Sequence, residues 1–118
     1  MVMLVLDASS ILNFGRRDGV TVKEVLDEIR DWRSRTEVQA ALDSGELRVL
    51  EPSKESIVRV RKAAENERLS ETDVRVLALA LEQGDVVTDD HAMQRVATAL
   101  KIKFHPVMFK PSRLPLPR

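Results

Sequence analysis

The sequence predicts an α/β domain in which a parallel sheet is flanked by helices, and three observations lead there. Short apolar runs at Met3–Leu6, Leu47–Leu50 and Val86–Thr88 are separated by stretches whose apolar residues recur at helical spacing. The first of these runs is continuous rather than alternating, as in a strand covered on both faces. Capping residues open several of the helical stretches and glycines close them. Helices alternating with strands imply parallel pairing through right-handed crossovers, not an all-α or antiparallel fold.

Met3 to Leu6 end in Asp7, so a charge stands at the exit of what should be a central strand. Ser9 to Phe14 allow a short helix, and Arg16, Arg17, Asp18 and Gly19 follow as a polar loop with turn and hinge residues. Thr21 and Glu24 match a capping box ahead of Val22, Val25, Leu26 and Ile29, which predicts a helix from about Val22 to Arg33. A further helical stretch around Val38, Ala41 and Leu42 closes at Gly45, suited to a left-handed cap, and Leu47 to Leu50 read as the next strand. Ser53 caps a helix through Ile57, Val60, Ala63 and Ala64, whose outer face carries Arg59, Arg61 and Lys62. Ser70 and Asp73 form a second capping box before Val74, Leu77, Ala78 and Leu81, and Gly84 ends that helix. Val86 to Thr88 give a third strand with Asp89 and Asp90 at its exit. Met93, Val96, Ala97 and Leu100 mark the last helix, and Ile102 with Phe104 a fourth strand. The domain is expected over residues 1–109, with 110–118 as a basic, proline-rich tail acting as linker or arm.

A chain of 118 residues with 43% hydrophobic content suits one domain with its own core. It contains no cysteine, which excludes disulfides, zinc ribbons and thiol nucleophiles and fits a reducing compartment, so the cytoplasm is expected. The opening MVMLVL is too short for a signal peptide or a membrane span, and no membrane partner is expected. Formal net charge is zero, so any nucleic-acid contact must rest on a local patch. Lys101, Lys103, Lys110, Arg113 and Arg118 form an acid-free basic segment that serves solubility or phosphate contact equally well.

The chemistry is concentrated in carboxylates. Parallel sheets bind ligands beyond the carboxyl ends of their strands, and Asp7 and Asp89–Asp90 stand at that edge. Each also suits a helix cap, and singly the cap is the better reading. Together, like charges at one edge repel unless protonated or bridged by a cation. Asp73 has the same double reading through its capping box. On the helix expected from Val22, Glu28 lies near the border of the apolar stripe and Glu24 on the far side, which makes Glu28 the better ligand. Asp7, Glu28, Asp73 and Asp90 are hard oxygen donors of the kind that suits Mg²⁺ or Mn²⁺. His91 reads as a surface residue and His105 as a loop residue. Ser9 and Ser10 lack a histidine at a recognisable spacing, and no glycine-rich phosphate loop exists. A phosphoacceptor receiver domain would need an acidic pair at the first strand, and Asp7 has no acidic neighbour.

Four segments in this order, VLDASSIL, TVKEVLDEIRD, LSETDVRVLALALE and VVTDDHAMQRVATAL, resemble the acidic blocks of PIN-domain nucleases from Leu4 to about Phe104. The pattern is most similar to the PIN domain of the Nob-type ribosomal-RNA processing endonucleases, with VapC toxins as wider relatives. The resemblance implies a three-layer α/β/α domain with a central parallel sheet of four or five strands. It also implies Mg²⁺- or Mn²⁺-dependent hydrolysis of single-stranded RNA leaving a 5′-phosphate and a 3′-hydroxyl. Carried over by position, Asp7, Glu28, Asp73 and Asp90 are the catalytic and metal-binding carboxylates. Ser9 and Thr88 are supporting hydroxyls, and Asp89 is an added ligand or an outer group. Arg16, Arg17, Lys101 and Lys103 are candidates for steering RNA. Expected partners are single-stranded RNA such as pre-rRNA, a second copy of the chain through the helix bearing Ile57 and Val60, and an antitoxin or a ribosome-assembly factor. Nob-type proteins carry a cysteine zinc ribbon after this domain, and these residues contain no cysteine. Three expectations therefore stay open: the nuclease domain of a processing enzyme, a relative closer in use to VapC toxins, or a catalytically silent PIN scaffold.

Overall fold

A computed structural model describes residues 3–108, so the expected tail at 110–118 lies outside the described residues. Its strands are β1 (Met3–Leu6), β2 (Gly19–Thr21), β3 (Leu47–Val49), β4 (Gly84–Val87) and β5 (Phe104–His105). Its helices are α1 (Ala8–Leu12), α2 (Lys23–Asp27), α3 (Trp32–Ser44), α4 (Lys54–Ala63), α5 (Glu71–Gln83) and α6 (His91–Ala99). All five strands run parallel in the order β3-β2-β1-β4-β5. The order reverses beside β1, because the chain first builds outward through β2 and β3 and later returns to add β4 and β5 on the other side. In open parallel sheets ligands bind at such a switch point, which here lies between the carboxyl ends of β1 and β4.

Val5 and Leu6 of β1 and Val86 and Val87 of β4 are fully buried, which is the two-sided burial their apolar runs predict. Val76, Leu77, Ala78 and Leu79 show no exposure either, so α5 is a central helix and not merely an amphipathic cover. α5 passes into β4 without a loop, and Gly84 makes the junction possible: a Cβ there would stand 2.4 Å from the Met3 carbonyl oxygen. Among the described residues no helix is long and apolar enough to cross a membrane.

Two predicted elements come out differently. The loop expected to end at Gly19 gives way to β2, whose three residues are too few to display a period. Thr21 belongs to that strand and donates its hydroxyl to the Leu6 carbonyl at 2.8 Å, so it does not cap the following helix. The residue at the cap position is Val22, with no side-chain hydrogen bond. The helix expected to reach Arg33 stops at Asp27, with Glu28 as its C-cap. Asp31 then accepts the Ser34 N–H at 2.9 Å and starts α3 as a separate helix. The break lets Ile29 turn into the core, where it is 1% exposed. His105, expected in a loop, lies in β5, and its Nε2 is 2.7 Å from Asp85 Oδ2.

Candidate active site

Asp7 leaves β1 at the carboxyl edge and caps α1. Its Oδ1 accepts the Ser10 N–H at 2.8 Å and the Ser9 hydroxyl at 3.3 Å. Asp90, beyond β4, caps α6 by accepting the Met93 N–H on Oδ1 at 2.9 Å. The buried Thr88 holds this second turn from several sides. Its hydroxyl oxygen accepts the Asp90 N–H at 3.1 Å, its carbonyl accepts the Gln94 side-chain amide at 3.0 Å, and its own N–H donates to the His105 carbonyl at 2.9 Å. Ser9 and Thr88 therefore each brace one aspartate.

Asp73 arrives from a third element. α5 feeds β4 and so runs back against the strand direction, which brings its N-terminus to the carboxyl edge. There the expected capping box forms: Asp73 N–H donates to Ser70 Oγ at 3.0 Å, and Ser70 N–H donates to Asp73 Oδ2 at 3.3 Å. Burial pushes the Asp73 carboxyl above the usual carboxylate range, the Ser70 hydrogen bonds oppose that shift, and the charges of Asp90 and Asp7 push it further up. Asp73 thus feels both of the other carboxylates. Among the described residues no Lys or Arg forms an ion pair with any of them.

Each capping interaction uses one oxygen. Oδ2 of Asp7, Oδ1 of Asp73 and Oδ2 of Asp90 have no hydrogen-bond partner among the described residues. In this arrangement no three Asp, Glu, His or Cys side chains among the described residues stand close enough together to enclose an ion.

The remaining candidates are spread more widely. Glu28 is exposed at the end of α2, and its carboxylate has no hydrogen-bond or ion-pair partner among the described residues. Glu24, in the first turn of α2, is 3.7 Å from Arg75 Nε on α5, and Arg75 also pairs with Glu71 at 3.5 Å. That bridge between α2 and the Asp73 helix was not anticipated from sequence; the only local hint is the i,i+4 spacing of Glu71 and Arg75. Asp89 Oδ1 accepts the Val107 N–H at 2.9 Å. Arg16 donates to the Val107 carbonyl at 2.8 Å, and Arg17 donates to the Ile11 carbonyl at 2.8 Å and to Glu37 at 3.1 Å. These two guanidinium groups are turned inward, with side chains only 11% and 13% exposed. Lys101 and Lys103 are exposed, but they follow α6 and precede β5, which puts them at the amino edge of the sheet, opposite the carboxylates. His91 is exposed, as expected.

The five-stranded parallel sheet flanked by helices is the fold of a PIN domain. Residues 4–83 match the family described as PIN domain of ribonuclease, and the chain belongs to that family. It is similar to Endoribonuclease Nob1 of Pyrococcus abyssi, 42% identical over 106 residues that cover 86% of this chain and 66% of the relative. Endoribonuclease Nob1 of Methanothermobacter thermautotrophicus is 37% identical over 116 residues, covering 88% and 68%. Ribonuclease VapC3 of Aeropyrum pernix is 41% identical over 90 residues, covering 68% and 65%. The chain therefore spans about two thirds of the length of the curated relatives it matches.

Proposed function

We propose that this domain is a metal-dependent endoribonuclease that hydrolyses single-stranded RNA, with pre-rRNA as its substrate and the cytoplasm as its compartment. The observation that carries the reading is that Asp7, Asp73 and Asp90 all reach the carboxyl edge, near enough for the charges of Asp90 and Asp7 to act on Asp73, each with an uncommitted oxygen and none in an ion pair among the described residues; an ion would draw them closer together than they stand. An all-oxygen anionic donor set fits Mg²⁺ or Mn²⁺. When bound, such an ion would supply an activated water and stabilise the charge that develops on the phosphodiester.

The chain's own part is to hold these oxygens still. The Ser10 and Met93 N–H groups fix Asp7 and Asp90 at helix starts, and the Ser9 and Thr88 hydroxyls brace them. Glu28 is the outer carboxylate, open for contact through water because nothing else engages it, whereas Glu24 is occupied by Arg75. Asp89 is an outer group that anchors Val107.

Similarity to VapC3 supports a second reading, a toxin ribonuclease working with an antitoxin. End-labelled unstructured RNA incubated with Mn²⁺, Mg²⁺ or chelator tests the chemistry. Cleavage should need the metal and fall by at least about a hundredfold in Asp7→Asn and Asp90→Asn. Cutting that persists in chelator, or in both variants, would sink the proposal. No cutting by a protein that still binds Mn²⁺ would leave the silent scaffold. Preference for a pre-rRNA fragment over unrelated RNA separates processing from a toxin role.

A further inference from the structure

Trp32 is 78% exposed, the most exposed large apolar side chain among the described residues. It opens α3, and its neighbours Arg30 and Arg33 are exposed, their guanidinium groups in no ion pair or side-chain hydrogen bond among the described residues, with Asp31 between them as the helix cap and within reach of the Arg33 charge. Arg35, one turn on, donates to the Ile29 carbonyl at 3.3 Å. From Trp32 an open face of α3 runs past Arg35, Thr36 and Gln39 and ends at Asp43. α3 leads into β3 and therefore runs back against the strand direction, so its start lies toward the carboxyl edge, where Asp7, Asp73 and Asp90 meet.

A flat aromatic face between cations is the means by which proteins hold an unpaired base: the ring stacks on the base and the guanidinium groups take the flanking phosphates. We propose that Trp32, with Arg30 and Arg33, is a stacking platform that holds one base of single-stranded RNA beside the acidic edge. This rests on the nuclease reading and adds to it a grip that the chain's low aromatic content conceals. Because α3 carries the platform and other elements carry the carboxylates, the stacked base is displaced along the strand from the bond that is cut.

The chain has one tryptophan and no tyrosine, so intrinsic emission reads this contact directly. With metals chelated, a short single-stranded RNA should quench the wild-type emission, while anisotropy of the same RNA carrying a dye reports affinity in parallel. An oligonucleotide of abasic spacers should bind more weakly and leave the emission unchanged. Trp32→Ala should weaken RNA binding about ten- to a hundredfold, and Trp32→Phe should keep most of it. Binding with unaltered emission, or wild-type affinity in Trp32→Ala, overturns the platform and leaves the nuclease standing. No binding overturns the platform, and no cutting as well overturns the nuclease reading with it. Emission that follows protein concentration instead of RNA would assign Trp32 to a contact between copies of the chain and overturn the proposal too.

Discussion

Helix capping and metal binding look like rival explanations for Asp7, Asp73 and Asp90, but a carboxylate has two oxygens. One satisfies a backbone N–H at the start of a helix, and the other is left for a ligand. The cap also locks the rotamer that a ligand would otherwise have to order. The arrangement is costly, as Asp73 shows: burial and the charges of Asp90 and Asp7 raise its carboxyl above its ordinary range. Its protonated form is the one the fold favours. That contribution is fully present below the unfolded-chain value and is lost as pH rises through the folded one. Asp73→Asn removes the charge and keeps a side chain that can still reach the Ser70 N–H. With metals chelated, it should melt a few degrees above the wild type at neutral pH, by roughly the scale of a ~1 kcal/mol change. The gap should close as pH falls below the carboxylate range and shrink when Mn²⁺ is added. Melting curves across pH check this, and a gap that does not vary with pH would show that the charge is not what the fold opposes.

Among the elements, those with a cap at one end and a glycine at the other were readable directly. α5 has its Ser70–Asp73 box, and α3 closes at Gly45 with a φ of 82°. Between α1 and α3 the structure departs from the local pattern. The apolar spacing of Val22, Val25, Leu26 and Ile29 is continuous, yet the helix breaks at Glu28, because Asp31 takes the Ser34 N–H and begins again. That break moves Glu28 from a helical face to an exposed helix end. β2 is only a glycine, a valine and a threonine, too short to show a period and recognisable as a strand once β1 and β3 lie on either side. Where β4 follows α5 directly, Gly84→Ala should cost about 1–3 kcal/mol, since the added methyl meets the Met3 carbonyl and backbone cannot yield as a flexible side chain would. Urea unfolding measures it, and an unchanged midpoint would mean that the α5–β4 junction relaxes freely.

At the scale of the whole molecule, parallel topology sorts side chains between two edges. Capped helix starts collect at the carboxyl edge with the aspartates, whereas Lys101 and Lys103 go to the amino edge. Arg16 and Asp89 meet at Val107, the arginine holding its carbonyl and the aspartate its N–H, so the loop after α1, the turn after β4 and the chain beyond β5 are tied at one residue. Arg16→Ala should destabilise the domain by about 1–3 kcal/mol through the lost charged hydrogen bond. It should also raise amide exchange at Val107. Stability within about 0.5 kcal/mol of the wild type would show that Asp89 alone holds the segment.

The α/β class and most of the elements are legible in the sequence alone, as are Asp7 and Asp90 at strand exits and Asp73 in its capping box. Periodicity, caps and strand exits are local, and a parallel sheet forces strand exits onto one edge. Tertiary structure alone decided which cations are free. Arg16 and Arg17 are adjacent basic residues in the sequence, and only packing turns them onto Val107, Ile11 and Glu37. The Glu24–Arg75 bridge, the existence of β2 and the distance of Lys101 from the carboxylates were likewise decided by contacts between residues far apart in the chain. A hydrogen bond or ion pair of that kind has no period from which it could be read.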